Sequence, residues 1–197
     1  MTPHRLIVRS IPPPSVVRSS RRRPRAILGV ERLESREVKD AGIALVAGAI
    51  DIAGASSQNT VVVSYTDSSQ TAISVTWNNT TVAYPRAQVT SILFTGQGGF
   101  NSFYNFTNIA STATGGNGVN LFYGGTGADT FTGGDGLNLF WGNGTNDTLI
   151  GGNGTNIFTV APSASDTLVG GNGVNIFMGV AGGNDSVTVG TGFNLLD

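Results

Sequence analysis

Cysteine is absent from the 197 residues, so neither disulfides nor thiolate metal sites are open to this chain. The single histidine is His4, far in sequence from the glycine-rich second half, which rules out a Ser-His-Asp triad or a histidine-held metal there. No phosphate-binding loop is present, because the Gly-x-Gly runs lead into strand-like sequence rather than helices. Basic residues are missing from most of the chain. Ten of the eleven Lys and Arg lie at or before Lys39, and Arg86 is the last. Beyond it the charged residues are Asp129, Asp135, Asp147, Asp166, Asp185 and Asp197. An acidic body without Lys or Arg argues against nucleic acid and against anionic membrane, and suits a cation. No apolar run reaches the roughly 20 residues of a membrane span. Ile43 to Ile50 is apolar, but Asp51 ends it, and its Val, Ala, Gly and Ile content reads as a pair of β-strands.

Glycine is plentiful, 29 residues, and most of it lies in the second half. The chain divides into three zones. Residues 1–39 hold Pro12-Pro13-Pro14 and Arg21-Arg22-Arg23-Pro24-Arg25, which cannot pack a core; a disordered basic leader is predicted. Residues 40–95 carry three strand-like runs, 61–65, 72–77 and 89–94, with Asn78-Asn79 suited to a turn. A small β-meander is predicted there, capping the glycine-rich zone. Residues 96–197 form a nine-residue repeat, clearest in Gly115–Tyr123, Gly124–Thr132, Gly133–Trp141, Gly151–Thr159 and Gly170–Met178.

Three columns emerge from this repeat. The sixth positions read Asn120, Asp129, Asn138, Asp147, Asn156, Asp166, Asn175, Asp185 and Asn194, alternating strictly between amide and acid. A coil of two repeats would put all four Asp on one edge and the Asn on the other, with Asn101 extending the Asn side. The eighth positions are uniformly apolar, Phe122, Phe131, Phe140, Leu149, Phe158, Leu168, Phe177, Val187 and Leu196, and should stack inward as the core. The seventh positions should face outward. On the Asp side they are Thr130, Thr148, Thr167 and Ser186; on the Asn side they are Leu121, Leu139, Ile157, Ile176 and Leu195. One wall is therefore polar and the other apolar, unless residues 40–95 cover the latter. Glycine at the turns is expected to supply positive φ and to let coils approach closely.

The repeat resembles the GGxGxDxUx nonapeptide of RTX-type (haemolysin-type) calcium-binding proteins, with Gly124-Gly125-Thr126-Gly127-Ala128-Asp129 as its full match. The resemblance covers about half the chain. It implies an all-β, right-handed parallel β-roll, or β-solenoid, with two repeats per coil. It also implies Ca²⁺ between successive coils, held by Asp129 with Asp147, Asp147 with Asp166, and Asp166 with Asp185, together with turn carbonyls. The glycine frame departs from the family at Gly142-Asn143-Gly144 and at Ala161-Pro162-Ser163-Ala164. Stacked carboxylates about 4.8 Å apart repel by roughly 0.9 kcal/mol per pair in water and roughly 3.5 at an effective dielectric of 20. A cation between coils reverses that sign. Without one, local Asx-turn bonds and splayed, solvated carboxylates are the alternative. The Asn edge can be satisfied by an amide ladder with no ion.

Leu33-Glu34-Ser35-Arg36, behind the Arg-rich start, resembles the leader of large bacterial surface proteins. Together these features point to a non-enzymatic, exported structural module, a calcium-binding β-roll of the cell surface or extracellular matrix. The alternative is a metal-independent solenoid that binds a protein or a second copy through Leu121, Leu139, Ile157 and Ile176. Paired Asp can be catalytic in polysaccharide-cleaving β-helices, but the regular spacing of these Asp argues for structure.

Overall fold

The computed structural model describes residues 42–55, 57–162 and 164–197; the leader expectation lies outside them. The described part is all-β. Two sheets run along it, and from β5 onward the chain crosses from one to the other after every strand. One sheet has the order β1-β2-β6-β8-β10-β12-β14-β16. Its strands are β1 (Ile43–Val46), β2 (Ala49–Ala53), β6 (Ser91–Thr95), β8 (Ser111–Thr114), β10 (Thr130–Thr132), β12 (Thr148–Ile150), β14 (Thr167–Val169) and β16 (Ser186–Thr188). The other has the order β17-β15-β13-β11-β9-β7-β3-β4-β5. Its strands are β3 (Gln58–Tyr65), β4 (Ala72–Trp77), β5 (Thr80–Pro85), β7 (Phe100–Asn105), β9 (Val119–Tyr123), β11 (Leu137–Gly142), β13 (Thr155–Val160), β15 (Val174–Met178) and β17 (Phe193–Leu196).

Apart from β4 and β5, each strand from β2 onward pairs in parallel with the strand one coil away, the arrangement of a parallel β-solenoid. Both sheets close toward the N-terminus with antiparallel strands: β1 on β2, and β4 then β5 on β3. These hairpins cover strand edges that would otherwise offer unpaired backbone groups. Asn78 takes positive φ (50°) in the β4–β5 turn, a conformation Asn tolerates.

The register is that of two repeats per coil. Asn120, Asn138, Asn156, Asn175 and Asn194 are direct partners along one sheet. Thr130, Thr148, Thr167 and Ser186 are direct partners along the other, so the Asp that precedes each of them forms a column too. The eighth-position side chains fill the space between the sheets. Phe140, Phe158 and Phe177 stack ring on ring at 4.9 and 4.7 Å, nearly parallel, and Phe131 reaches across from the other sheet to Phe122 at 5.4 Å. Stacking rings at coil spacing removes their faces from water, the main favourable term in the fold. The exception is the last coil, where Leu196 is 51% exposed because no described coil packs against it.

Two expectations change. From Gly115 to Gly173 no glycine has positive φ. Their reason is close approach instead: a Cβ on Gly136 would lie 1.9 Å from the Gly118 carbonyl oxygen of the neighbouring coil. Side chains are excluded there by the backbone stacked above, not by dihedral strain. The strands of the described residues 42–95 also form no layer over the apolar wall. Those residues pair edge-on with the repeats and prolong both sheets, because their strands have open hydrogen-bonding edges to offer.

Candidate functional site

The two edges of the solenoid use the same position in the repeat for opposite chemistry. On the Asn edge each amide is buried, with Asn120, Asn138, Asn156 and Asn175 at 0% exposure. Each Nδ2 donates twice: to the carbonyl of the glycine four residues earlier and to the Oδ1 of the Asn one coil on. For Asn138 these are Gly134 at 2.7 Å and Asn156 at 2.8 Å. The ladder runs Asn59, Asn101, Asn120, Asn138, Asn156, Asn175, Asn194 without a gap. A Cβ on Gly133 would sit 2.4 Å from the Asn138 amide carbon, so the first glycine of the repeat makes the seat for the amide. At this edge every buried side-chain donor and acceptor is satisfied within the protein, and no ion is called for.

The Asp edge is dry as well. Asp129, Asp147 and Asp166 are each 1% exposed, which overturns the expectation of splayed, solvated carboxylates as the ion-free state. One oxygen of each is used. The backbone N–H of Asp129 donates to Oδ1 of Asp147 (2.7 Å), that of Asp147 to Asp166 (2.8 Å), and that of Asp166 to Asp185 (2.7 Å). Asp129 receives the N–H and hydroxyl of Ser111 on its own Oδ1. The other oxygen, Oδ2, is buried in all four and has no hydrogen-bond partner in good geometry, although donors near the carboxyls, the Asn105 amide and the N–H of Gly125 at Asp129, of Gly144 at Asp147 and of Asn146 at Asp166, offset part of the cost of burial. Buried polar atoms are almost always partnered, so four orphans in one column mark a specific gap in the chemistry.

The electrostatics agree. Burial is the main cause that pushes the Asp129, Asp147 and Asp166 carboxyls above the usual carboxylate range. The hydrogen bonds oppose it only in part. Asp147, with a charged neighbour on each side, is pushed up to about 6. An anion with one bare oxygen is held here at a cost, and either a proton or a cation would relieve it. The donor set is hard oxygen only, carboxylate and main-chain carbonyl, which is the set calcium takes. Among the described residues no three acidic or histidine side chains converge on one point. Each coil contributes one carboxylate to the column, so carbonyls and water would complete any shell. With those limits the donor set of the edge fits Ca²⁺.

The sequence profile of the RTX calcium-binding nonapeptide repeat, four copies long, matches residues 114–149 and 123–158. The chain therefore carries RTX-type calcium-binding repeats, folded as a β-solenoid. The matched stretch includes Asp129 and Asp147 and the Asn edge from Asn120 to Asn156. No curated protein and no solved structure matches the chain.

Three participants were not legible from the repeat. Ser111 heads the Asp column, and counting nine residues back from Gly115 gives the frame 106–114 with Ser111 sixth and Ala113 eighth; the lack of glycine hides it. Asn59 starts the amide ladder from outside the repeat and accepts the Trp77 indole N–H. Asp135, at the third position of its repeat, is exposed yet accepts from both the N–H and the amide of Asn153, within a second ladder on the outer turn.

Proposed function

We propose that this chain is an exported structural module whose solenoid is stiffened by calcium along one edge. The ions lie between successive coils, held by Asp129 with Asp147, Asp147 with Asp166, and Asp166 with Asp185. The observation that carries this reading is the row of four buried, unpartnered Oδ2 atoms. Binding energy collected only by the folded coils would drive folding where calcium is abundant, outside the cell, at the cell surface or in a matrix. Extracellular calcium modules have dissociation constants of about 10⁻⁴–10⁻³ M. At millimolar calcium each site then adds about 0.4–1.4 kcal/mol. The chain is read as non-catalytic, since its acids serve a repeated structural edge. The test is a calcium titration followed by calorimetry and melting temperature. A rise of a few degrees per site is expected, and no change up to several millimolar would refute the reading.

A second reading is supported by the opposite wall. Leu121, Leu139, Ile157, Ile176 and Leu195 stand in one outward column, flanked by Tyr123, Trp141 and Met178. Leu195 is 50% exposed, and the other four are half-buried beside their column neighbours. Contiguous apolar surface of this kind serves contact with a protein or a second copy. The variant Ile157→Lys/Ile176→Lys tests it: an assembly that dissociates supports the reading, and an unchanged monomer in both forms removes self-association.

A further inference from the structure

A cleft of about 420 Å³ opens beside the upper Asp-edge turns, between the β3–β4 turn and the turns that follow β7, β9 and β11. Its size suits a small ligand. Three rings and three amides matter in its lining: Tyr65, Phe106 and Tyr123, with Gln70, Asn108 and Asn143. No charged side chain lines it.

Phe106 is the unusual member. It is 51% exposed, so half of a large apolar side chain faces water with no gain to the fold. Nor is it loose. Its ring stacks on Tyr104 at 6.1 Å with planes 11° apart, and it meets the Tyr123 ring at 5.3 Å. The result is a fixed aromatic platform with one open face. The polar groups around it are partly unused. Asn108 accepts the Tyr65 hydroxyl on Oδ1, and Asn143 donates its amide to the Gly124 carbonyl. The Asn108 Nδ2, the Asn143 Oδ1 and the Gln70 side chain have no partner among the described residues.

We propose that this cleft binds a neutral carbohydrate, one sugar ring lying on Phe106 and its hydroxyls bonded by Gln70, Asn108 and Asn143. A pyranose has a C–H face that packs on an aromatic ring and a rim of hydroxyls that amides both donate to and accept from. The absence of charge disfavours phosphorylated or uronic ligands, which need a cation. An entirely apolar ligand would leave the amides unpaired at a cost. The cleft shares the Gly124–Thr126 turn with the Asp edge, but its rings and amides are placed by contacts within the protein.

The test is calorimetric titration of the full chain with maltotetraose, cellotetraose and chitotetraose in millimolar calcium. At least one is expected to bind. Phe106→Ala should weaken that binding about tenfold, the loss of one stacking contact. Phe106→Leu, which keeps apolar bulk but not the flat face, should weaken it as well. Gln70→Ala, on an exposed turn that the fold does not need, should weaken it about threefold, the loss of one hydrogen bond. Thr167→Ala on the distant polar wall should leave it unchanged. No detectable binding of any of the three sugars overturns the proposal, as does binding that survives Phe106→Ala. Sugar binding retained in a chain that proves indifferent to calcium would refute the calcium reading and leave this one standing.

Discussion

The Asn edge and the Asp edge occupy the same place in the repeat, are built over similar turns and are equally dry, yet their chemistry is closed on one side and open on the other. An amide carries both a donor and acceptors, so stacked Asn side chains complete one another. A carboxylate carries only acceptors. Stacked Asp side chains can borrow one backbone N–H each, and the second oxygen is left bare. One oxygen per coil separates a self-sufficient scaffold from a site that needs something added. The glycine frame shows the same division. It is intact where the Asn amides seat and worn where the Asp carboxyls lie, as Ala161 and Pro162 show.

The comparison can be broken most severely by exchanging the chemistry of one rung. Asn156→Asp removes the donor to the Gly152 carbonyl and to Asn175 Oδ1 and sets a carboxylate against both. A loss of about 3–5 kcal/mol is expected in urea unfolding, because an unpaired buried charge is left behind. Calcium should not restore it. Next in size is the backbone contact. Gly136→Ala places a Cβ 1.9 Å from the Gly118 carbonyl, whereas Gly144→Ala on the Asp side meets the Gly127 carbonyl at 2.6 Å. Destabilisation of about 3 kcal/mol at the first and about 1 kcal/mol at the second would show that the Asn edge is packed more tightly.

The reverse exchange sharpens the comparison with the opposite sign. Asp147→Asn removes a buried charge flanked by two others. In chelator the variant should be more stable than the parent by about 2 kcal/mol. Its response to calcium should shrink, since Asp147 takes part in two of the three expected sites. A variant that is less stable in chelator would show that the carboxylate is favourable without an ion.

The smallest effect is the pH dependence of the metal-free chain. Burial raises the folded-state Asp147 carboxyl to about 6 from its ordinary value of 3.8. The folded state therefore binds its proton more tightly than the unfolded state, and stability falls as pH rises from about 4 through about 6. Between pH 7 and pH 5 the chelated protein should gain about 1 kcal/mol, or roughly 3 °C in melting temperature. In calcium the trend should flatten or invert, because protons compete with the metal for the same oxygens. A chelated protein that instead loses stability from pH 7 to pH 5 would break the account of the Asp edge.

Much of this was legible because a solenoid makes sequence spacing into spatial spacing. The Asn/Asp alternation predicted two repeats per coil, and strand register places both columns as expected. The eighth-position Phe and Leu were recognisable as core for the same reason. Legibility failed where the repeat signal fades. Ser111 fills an Asp position in a unit without glycine, and Asn59 joins the ladder from a strand that lies 42 residues from its partner Asn101. Nor could spacing tell a solvated carboxylate from a buried one, since Asx turns serve both.

The sequence alone determined the period, the two-column edges, the inward aromatic stack and the lack of histidine, lysine and arginine among residues 87–197. These come from composition and from side-chain alternation, which are local properties. Tertiary structure decided that residues 42–95 extend both sheets, that the repeat glycines answer to neighbouring carbonyls rather than to dihedral strain, and that each Asp hides an oxygen without a partner. All three depend on what the next coil places against a residue, and that contact is made across about 18 residues of chain, beyond the reach of any local pattern.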